Sequence, residues 1–183
     1  MVINETSIPG LLIFEPRIFA DSRGVFFESF NQKTFEKATG GKYTFVQDNQ
    51  SSSKKGVLRG LHFQNPPFAQ GKLVRVIKGS VIDVAVDIRK NSVTYGQHVS
   101  ILLSEENNKQ FWIPPGFAHG FIALEENSLF SYKCTNYYAP QSEETILWND
   151  PTLKIDWTMK PLFVSEKDEI GTEFSNFVSL FEE

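Results

Sequence analysis

Lys72-Leu73-Val74-Arg75-Val76-Ile77-Lys78-Gly79-Ser80-Val81-Ile82-Asp83-Val84-Ala85-Val86-Asp87-Ile88 is the stretch whose reading decides the fold. Val74 and Val76 share a parity. After Gly79-Ser80, Ile82, Val84, Val86 and Ile88 alternate with Val81, Asp83, Ala85 and Asp87. A period of two marks β-strands, and a glycine-serine pair between two such runs predicts a hairpin. The second strand is expected to have one packed face and one partly polar face.

The same pattern continues on both sides. Tyr95, Gln97, Val99, Ile101 and Leu103 form another alternating set. Phe111-Trp112-Ile113 runs into a turn at Pro114-Pro115-Gly116, then Phe117 to Leu124, and Ser128 to Thr135 reads as a further strand. Upstream, residues 1–20 give a strand, a turn at Pro9-Gly10, and Leu11 to Glu15 as a second strand. Asp21 to Gly24 is a turn. Asn31 to Thr39 predicts one short helix, with Thr34, Phe35 and Ala38 on its apolar face and Gly40-Gly41 stopping it. Ser51 to Gly56 reads as a mobile surface loop. Downstream, Asp150-Pro151 starts a turn and Ile155-Asp156-Trp157 reads as a last short strand. Ser165 looks like the N-cap of a helix, with Asp168 at the capping-box position. Many short strands with few helices predict an all-β domain of two packed sheets, jelly-roll-like, over residues 1–183 without a linker.

Composition narrows the function. With 183 residues, 40% hydrophobic, 14% aromatic and 17 Phe, the chain has material for a large core. A net charge of −4 offers no basic patch for nucleic acid. No apolar run reaches the roughly 20 residues that a membrane helix needs, and the first residues lack the pattern of a secretory signal. Cys134 is the only cysteine, which fits a reducing cytosol.

The chemistry-bearing residues start at Arg59-Gly60-Leu61-His62-Phe63-Gln64. Arg59 and His62 have opposite parity, so they share a pocket only if the chain bends or bulges between them, and Gly60 permits that. The alternative is a surface arginine and a half-buried histidine. His62 suits a general base near neutral pH. Tyr132 shares its parity with Phe130 and Cys134 and is expected to point inward, where a phenol needs a partner or a task. Lys72 either snorkels to solvent or sets its ammonium in the barrel mouth. Arg23, Arg59 and Lys72 together suit an anionic ligand such as a diphosphate. The three histidines, His62, His98 and His119, show no spacing typical of metal ligands, so no metal is expected.

In combination, Arg59 to Gln64, Gly71-Lys72-Leu73-Val74, Pro114 to Phe121, Tyr132 to Tyr138 and Ser165 to Asp168 resemble the dTDP-4-dehydrorhamnose 3,5-epimerases. That resemblance covers Pro9 to Asp168. It implies a homodimeric, metal-free, cofactor-free enzyme with the cupin fold, a double-stranded β-helix. The implied substrate is dTDP-4-dehydro-6-deoxy-D-glucose, inverted at C3 and C5 beside the C4 ketone. It further implies His62 as base, Asp168 as the carboxylate holding it, Tyr132 as the acid on the opposite ring face, and Lys72 as the cation at the C4 oxygen. Arg23, Glu28, Gln47, Asp48, Asn49, Arg59, His119, Glu143 and Lys167 correspond to nucleotide-sugar contacts, with Phe26 and Tyr138 as flat partners for the thymine. A 3-epimerase, a ketoisomerase on the same sugar and a non-catalytic sugar-nucleotide-binding cupin stay open beside the double epimerase. A metal-dependent cupin dioxygenase is a more distant alternative.

Overall fold

The computed structural model describes residues 1–182. The strands are β1 (Val2–Glu5), β2 (Leu12–Glu15), β3 (Phe19–Asp21), β4 (Gly24–Phe26), β5 (Gln47–Ser53), β6 (Leu58–Gln64), β7 (Lys72–Lys78), β8 (Ser80–Asp87), β9 (His98–Ser104), β10 (Gln110–Ile113), β11 (Phe117–Ala123), β12 (Ser128–Cys134) and β13 (Glu143–Thr145). Two short helices accompany them, α1 (Gln32–Thr39) and α2 (Glu166–Glu169). A six-stranded sheet, β1-β2-β10-β7-β12-β5, faces a five-stranded sheet, β13-β6-β11-β8-β9, and β3 and β4 form a separate hairpin. This is the all-β jelly-roll that the alternation predicts.

The core lies between the sheets. Val74, Val76, Phe111, Ile113 and Phe130 from the first sheet meet Val81, Ala85, Leu103, Phe117 and Phe121 from the second. Two further layers cover the outer faces. Helix α1 lays Phe35 on Phe14, Leu73 and Trp112. Its N-cap is Asn31, whose side chain accepts the Thr34 N–H, and Gly40 closes it in the left-handed conformation.

The C-terminal tail covers the other side: Leu153, Trp157, Phe174, Phe177 and Phe181 pack on Leu58, Phe63, Val84, Val86 and Ile122. The central strands β8 and β11 are therefore buried almost throughout. That corrects the expectation for β8, whose every residue except Ile82 is buried. Its Asp83 and Asp87 are buried acids rather than a polar outer face.

Three other expectations change. Val74 to Ile88 is not a hairpin. β7 pairs with β10 and β12, whereas β8 pairs with β11 and β9, so Gly79 carries the chain from one sheet to the other. Alternation identifies a strand but says nothing about its partner. Ser51 to Ser53 is not a loop but the end of β5, held along its length by β12. Along that end of the strand Ser51 and Ser53 turn inward and Ser52 is exposed. Ile155 to Trp157 forms no strand. Trp157 is anchored instead by its side chain, with Nε1 donating to the Trp148 carbonyl at 2.9 Å.

Candidate active site

His62 lies on β6, opposite His119 on β11 and Thr145 on β13. Between these neighbours the chain does what the parity of Arg59 and His62 demands. The β6–β11 register slips between His119 and Phe121. Gly60 has φ of +139°, and a Cβ there would stand 2.5 Å from the Gly120 Cα, so both positions require glycine. The slip brings Arg59 and His62 to one cavity of about 390 Å³.

Asp168 holds the imidazole. Its Oδ1 lies 2.5 Å from His62 Nε2, its Oδ2 accepts the Gly60 N–H at 3.3 Å, and the residue is 3% exposed. The capping role expected for this stretch is also present, on different atoms. The Ser165 Oγ accepts the Asp168 N–H at 3.2 Å, which fixes the helical turn that presents the carboxylate. With Nε2 engaged, Nδ1 of His62 has no hydrogen-bond partner among the described residues.

Tyr132 enters the same cavity from the other sheet. On β12 it sits between Asn49 of β5 and Val74 of β7. Lys72 opens β7 opposite Cys134, with Nζ 3.5 Å from the His62 carbonyl oxygen. An adjoining cavity shares His62, Lys72 and Tyr132 and continues to Gln47, Asn49, Tyr138 and Glu143. There the Tyr138 hydroxyl donates to Glu143 Oε2 at 2.9 Å, and the same oxygen pairs with Lys167 Nζ at 2.5 Å. Burial pushes the Tyr132 phenol up, partly offset by Asn49, so it stays a proton donor at neutral pH. Burial pulls the Lys72 ammonium down, against the pull of Cys134, Glu143 and Asp83. Burial raises Asp168, but the His62 hydrogen bond and charge outweigh it and keep the carboxyl below its ordinary range.

Four of the expected contacts lie elsewhere. Asp48 falls on the opposite parity of β5 from Gln47 and Asn49 and pairs with Lys133 at 3.0 Å on the exposed side. Arg23 and Phe26 line a separate hollow on the β3–β4 hairpin, where Arg23 holds Asp21 at 2.6 Å. Glu28 is exposed and accepts from Asn31 Nδ2 at 3.1 Å.

Known proteins carry the same plan. The family model for dTDP-4-dehydrorhamnose 3,5-epimerase matches residues 5–176. A dTDP-4-dehydrorhamnose 3,5-epimerase of Salmonella typhimurium is 60% identical over 162 residues, which is 88% of each chain. The chain belongs to the dTDP-4-dehydrorhamnose 3,5-epimerase family. It is an isomerase-class enzyme with the cupin-type fold.

Solved epimerases superpose closely. A dTDP-6-deoxy-D-glucose-3,5-epimerase of Legionella pneumophila, solved with dTDP-4-keto-L-rhamnose, gives a TM-score of 0.93 at 50% identity, over 97% of this chain and 94% of that one. A 3'-monoepimerase of Streptomyces bikiniensis, solved with dTDP-quinovose, gives 0.88 at 32%, over 93% and 86%. Among the described residues of this epimerase, no three His, Cys, Asp or Glu side chains converge as a metal site, and no helix is long and apolar enough to cross a membrane.

Residues beyond the expected set line the first cavity, among them Gln50, Ser51, Phe121, Phe130 and Phe163. Phe121 stacks on Phe130 with centroids 4.2 Å apart, a slab that reads as plain core in the sequence. Asp83, behind His119, was legible only as an acid among valines.

Proposed function

We propose that this chain inverts C3 and C5 of dTDP-4-dehydro-6-deoxy-D-glucose to give dTDP-4-dehydro-L-rhamnose. The observation that carries the reading is that His62 and Tyr132 enter one cavity from two different sheets, with Lys72 beside them. A proton next to a ketone is weakly acidic, so removing it needs a base and positive charge at the forming enolate oxygen. His62, backed by Asp168, takes the proton and becomes imidazolium. The C4 oxygen gathers charge beside Lys72. Tyr132 delivers its phenolic proton to the opposite ring face, and solvent resets both groups. A single base would tend to return the proton to the face it left, so inversion needs the second group.

The test is turnover in deuterium oxide. Label at both C3 and C5 of the product is expected, and label at C3 alone would establish the second reading, a 3-epimerase like the Streptomyces bikiniensis neighbour. Tyr132→Phe is expected to lower inverted product at least about tenfold more than it lowers exchange into recovered substrate, since the base remains. Equal losses would reduce Tyr132 to a wall of the pocket.

A homodimer and a complete nucleotide site belong to the same proposal. The β3–β4 hairpin stands apart from both sheets, with Phe19 50%, Val25 65% and Phe26 72% exposed. In the dimer we place this hairpin, with Arg23 and Phe26, against the cavity of the partner subunit, where Tyr138 waits for the base. Phe26→Ala is then expected to weaken dTDP binding several-fold with the melting temperature unchanged. Unaltered binding in titration calorimetry would remove the hairpin from the site.

A further inference from the structure

Asp83 is a fully buried acid in the middle of β8, and its environment is narrow. Both carboxylate oxygens lie on one atom, His119 Nε2, at 3.0 and 2.9 Å. No other hydrogen bond reaches the carboxylate among the described residues. An ionised group in such a place is tolerated only when it is paired and hydrogen-bonded. Two nearly equal distances to one nitrogen fit a single N–H shared by both oxygens, which puts the ring hydrogen on Nε2.

His119 itself is almost closed off, at 7% exposed, and still lines the cavity that holds His62 and Lys72. Its ring lies nearly parallel to Phe130, with centroids 6.1 Å apart and 20° between planes, so its orientation is set from the side as well as from behind. Nδ1 has no hydrogen-bond partner among the described residues. Burial holds the imidazole below the usual histidine range, and Lys72 and His62 push the same way, against the pull of Asp83. The ring is therefore neutral at physiological pH, with a lone pair on Nδ1 and no protein group to use it.

We infer that Asp83 is a positioning residue: by holding Nε2–H it fixes His119 as the tautomer whose Nδ1 lone pair accepts a hydrogen bond from a hydroxyl of the bound sugar. The neighbouring His62 works the other way, as a proton carrier, although both rings are anchored through Nε2 on an aspartate. What separates them is their surroundings. Asp168 comes from a helical turn at the rim and His62 is more open, whereas Asp83 and His119 belong to adjacent central strands, β8 and β11. The inference rests on the epimerase reading for the identity of the hydroxyl. The tautomer does not depend on that reading.

The experiment uses the full chain with nitrogen-15 histidine. Long-range proton–nitrogen spectra of the unliganded protein are expected to show His119 with hydrogen on Nε2. In Asp83→Asn the carboxamide can donate to Nε2 and move the hydrogen to Nδ1. That variant is expected to raise KM for the sugar nucleotide about tenfold, to leave kcat within about threefold, and to leave inhibition by free dTDP unchanged. His119→Gln serves as the second variant. Its amide can satisfy Asp83 but offers no acceptor at the Nδ1 position, and it is expected to show the same rise in KM. Hydrogen on Nδ1 instead of Nε2 of His119 in the parent, or a KM within twofold of the parent in either variant, overturns the inference. Failure of the parent protein to exchange C3 and C5 protons would overturn the function instead, and the spectra would still decide the tautomer.

Discussion

His62→Ala is expected to abolish incorporation of solvent deuterium at C3 and C5, a loss of at least about 10³, while dTDP binding stays within about threefold. The size follows from the placement of the ring. The Asp168 carboxylate sits on Nε2 at 2.5 Å and is itself tied to the Gly60 amide, so the imidazole reaches the cavity already oriented. The other candidates there are weaker: burial holds the His119 imidazole below the usual histidine range, and Glu143 is engaged by Lys167 and Tyr138. Nucleotide affinity is spared because Gln47, Asn49 and Tyr138, expected to meet the nucleotide, line the adjoining cavity. The measurement is proton NMR of the sugar in deuterium oxide beside dTDP titration calorimetry. Residual exchange within tenfold of the parent would give the base to another group. Combined loss of exchange and binding would make His62 a packing residue.

The pH profile adds a sign. Asp168 has its folded pKa held down, so the stability it contributes is present above the unfolded carboxyl range and disappears as pH falls through the lower, folded value.

Much of this was legible in the sequence because it depends on local periodicity. The alternation along Val81 to Ile88 and Val99 to Leu103 identified strands correctly, and the parity conflict between Arg59 and His62 required the β6 irregularity that the backbone shows. The parity of Tyr132 with Phe130 and Cys134 placed the phenol inside. Pairing was not legible. Gly79-Ser80 looks like a hairpin turn whichever sheet the chain enters next, and only long-range packing decides. Polarity misled at Ser51 to Ser53, where Ser51 lines the cavity and Ser53 is buried. Ile155 to Trp157 misled because Trp157 packs by its side chain outside any strand, and with Phe174, Phe177 and Phe181 it seals one face of a sheet. Asp48 beside Gln47 and Asn49 shows the limit of reading contacts as a block, since a strand sends every second residue to the other side.

Lys72→Met is expected to move activity and stability in opposite directions. Methionine approximates the length of the lysine stem without its charge. Losing the cation proposed to meet the C4 oxygen is expected to lower kcat by about 10²–10³, the usual consequence of removing a preorganised contact to an oxyanion. The same substitution is expected to raise the unfolding midpoint at neutral pH. Lys72 is half-buried as a residue, but its ammonium lies deep, and burial depresses its folded pKa below the unfolded value. A lysine whose folded pKa is lowered destabilises the fold wherever the unfolded chain would hold the proton more firmly. The penalty is fully present below the folded pKa and fades as pH rises through that value toward the unfolded one. The gain from methionine is therefore expected at pH 7 and should shrink in alkaline buffer. A lysine kept for packing or for an ion pair would behave differently: its replacement would lower the midpoint, with activity falling only as far as the fold does. Thermal unfolding at pH 7 and at pH 10, set beside kcat at pH 7, separates the two. A midpoint that falls at both pH values would remove Lys72 from the catalytic set.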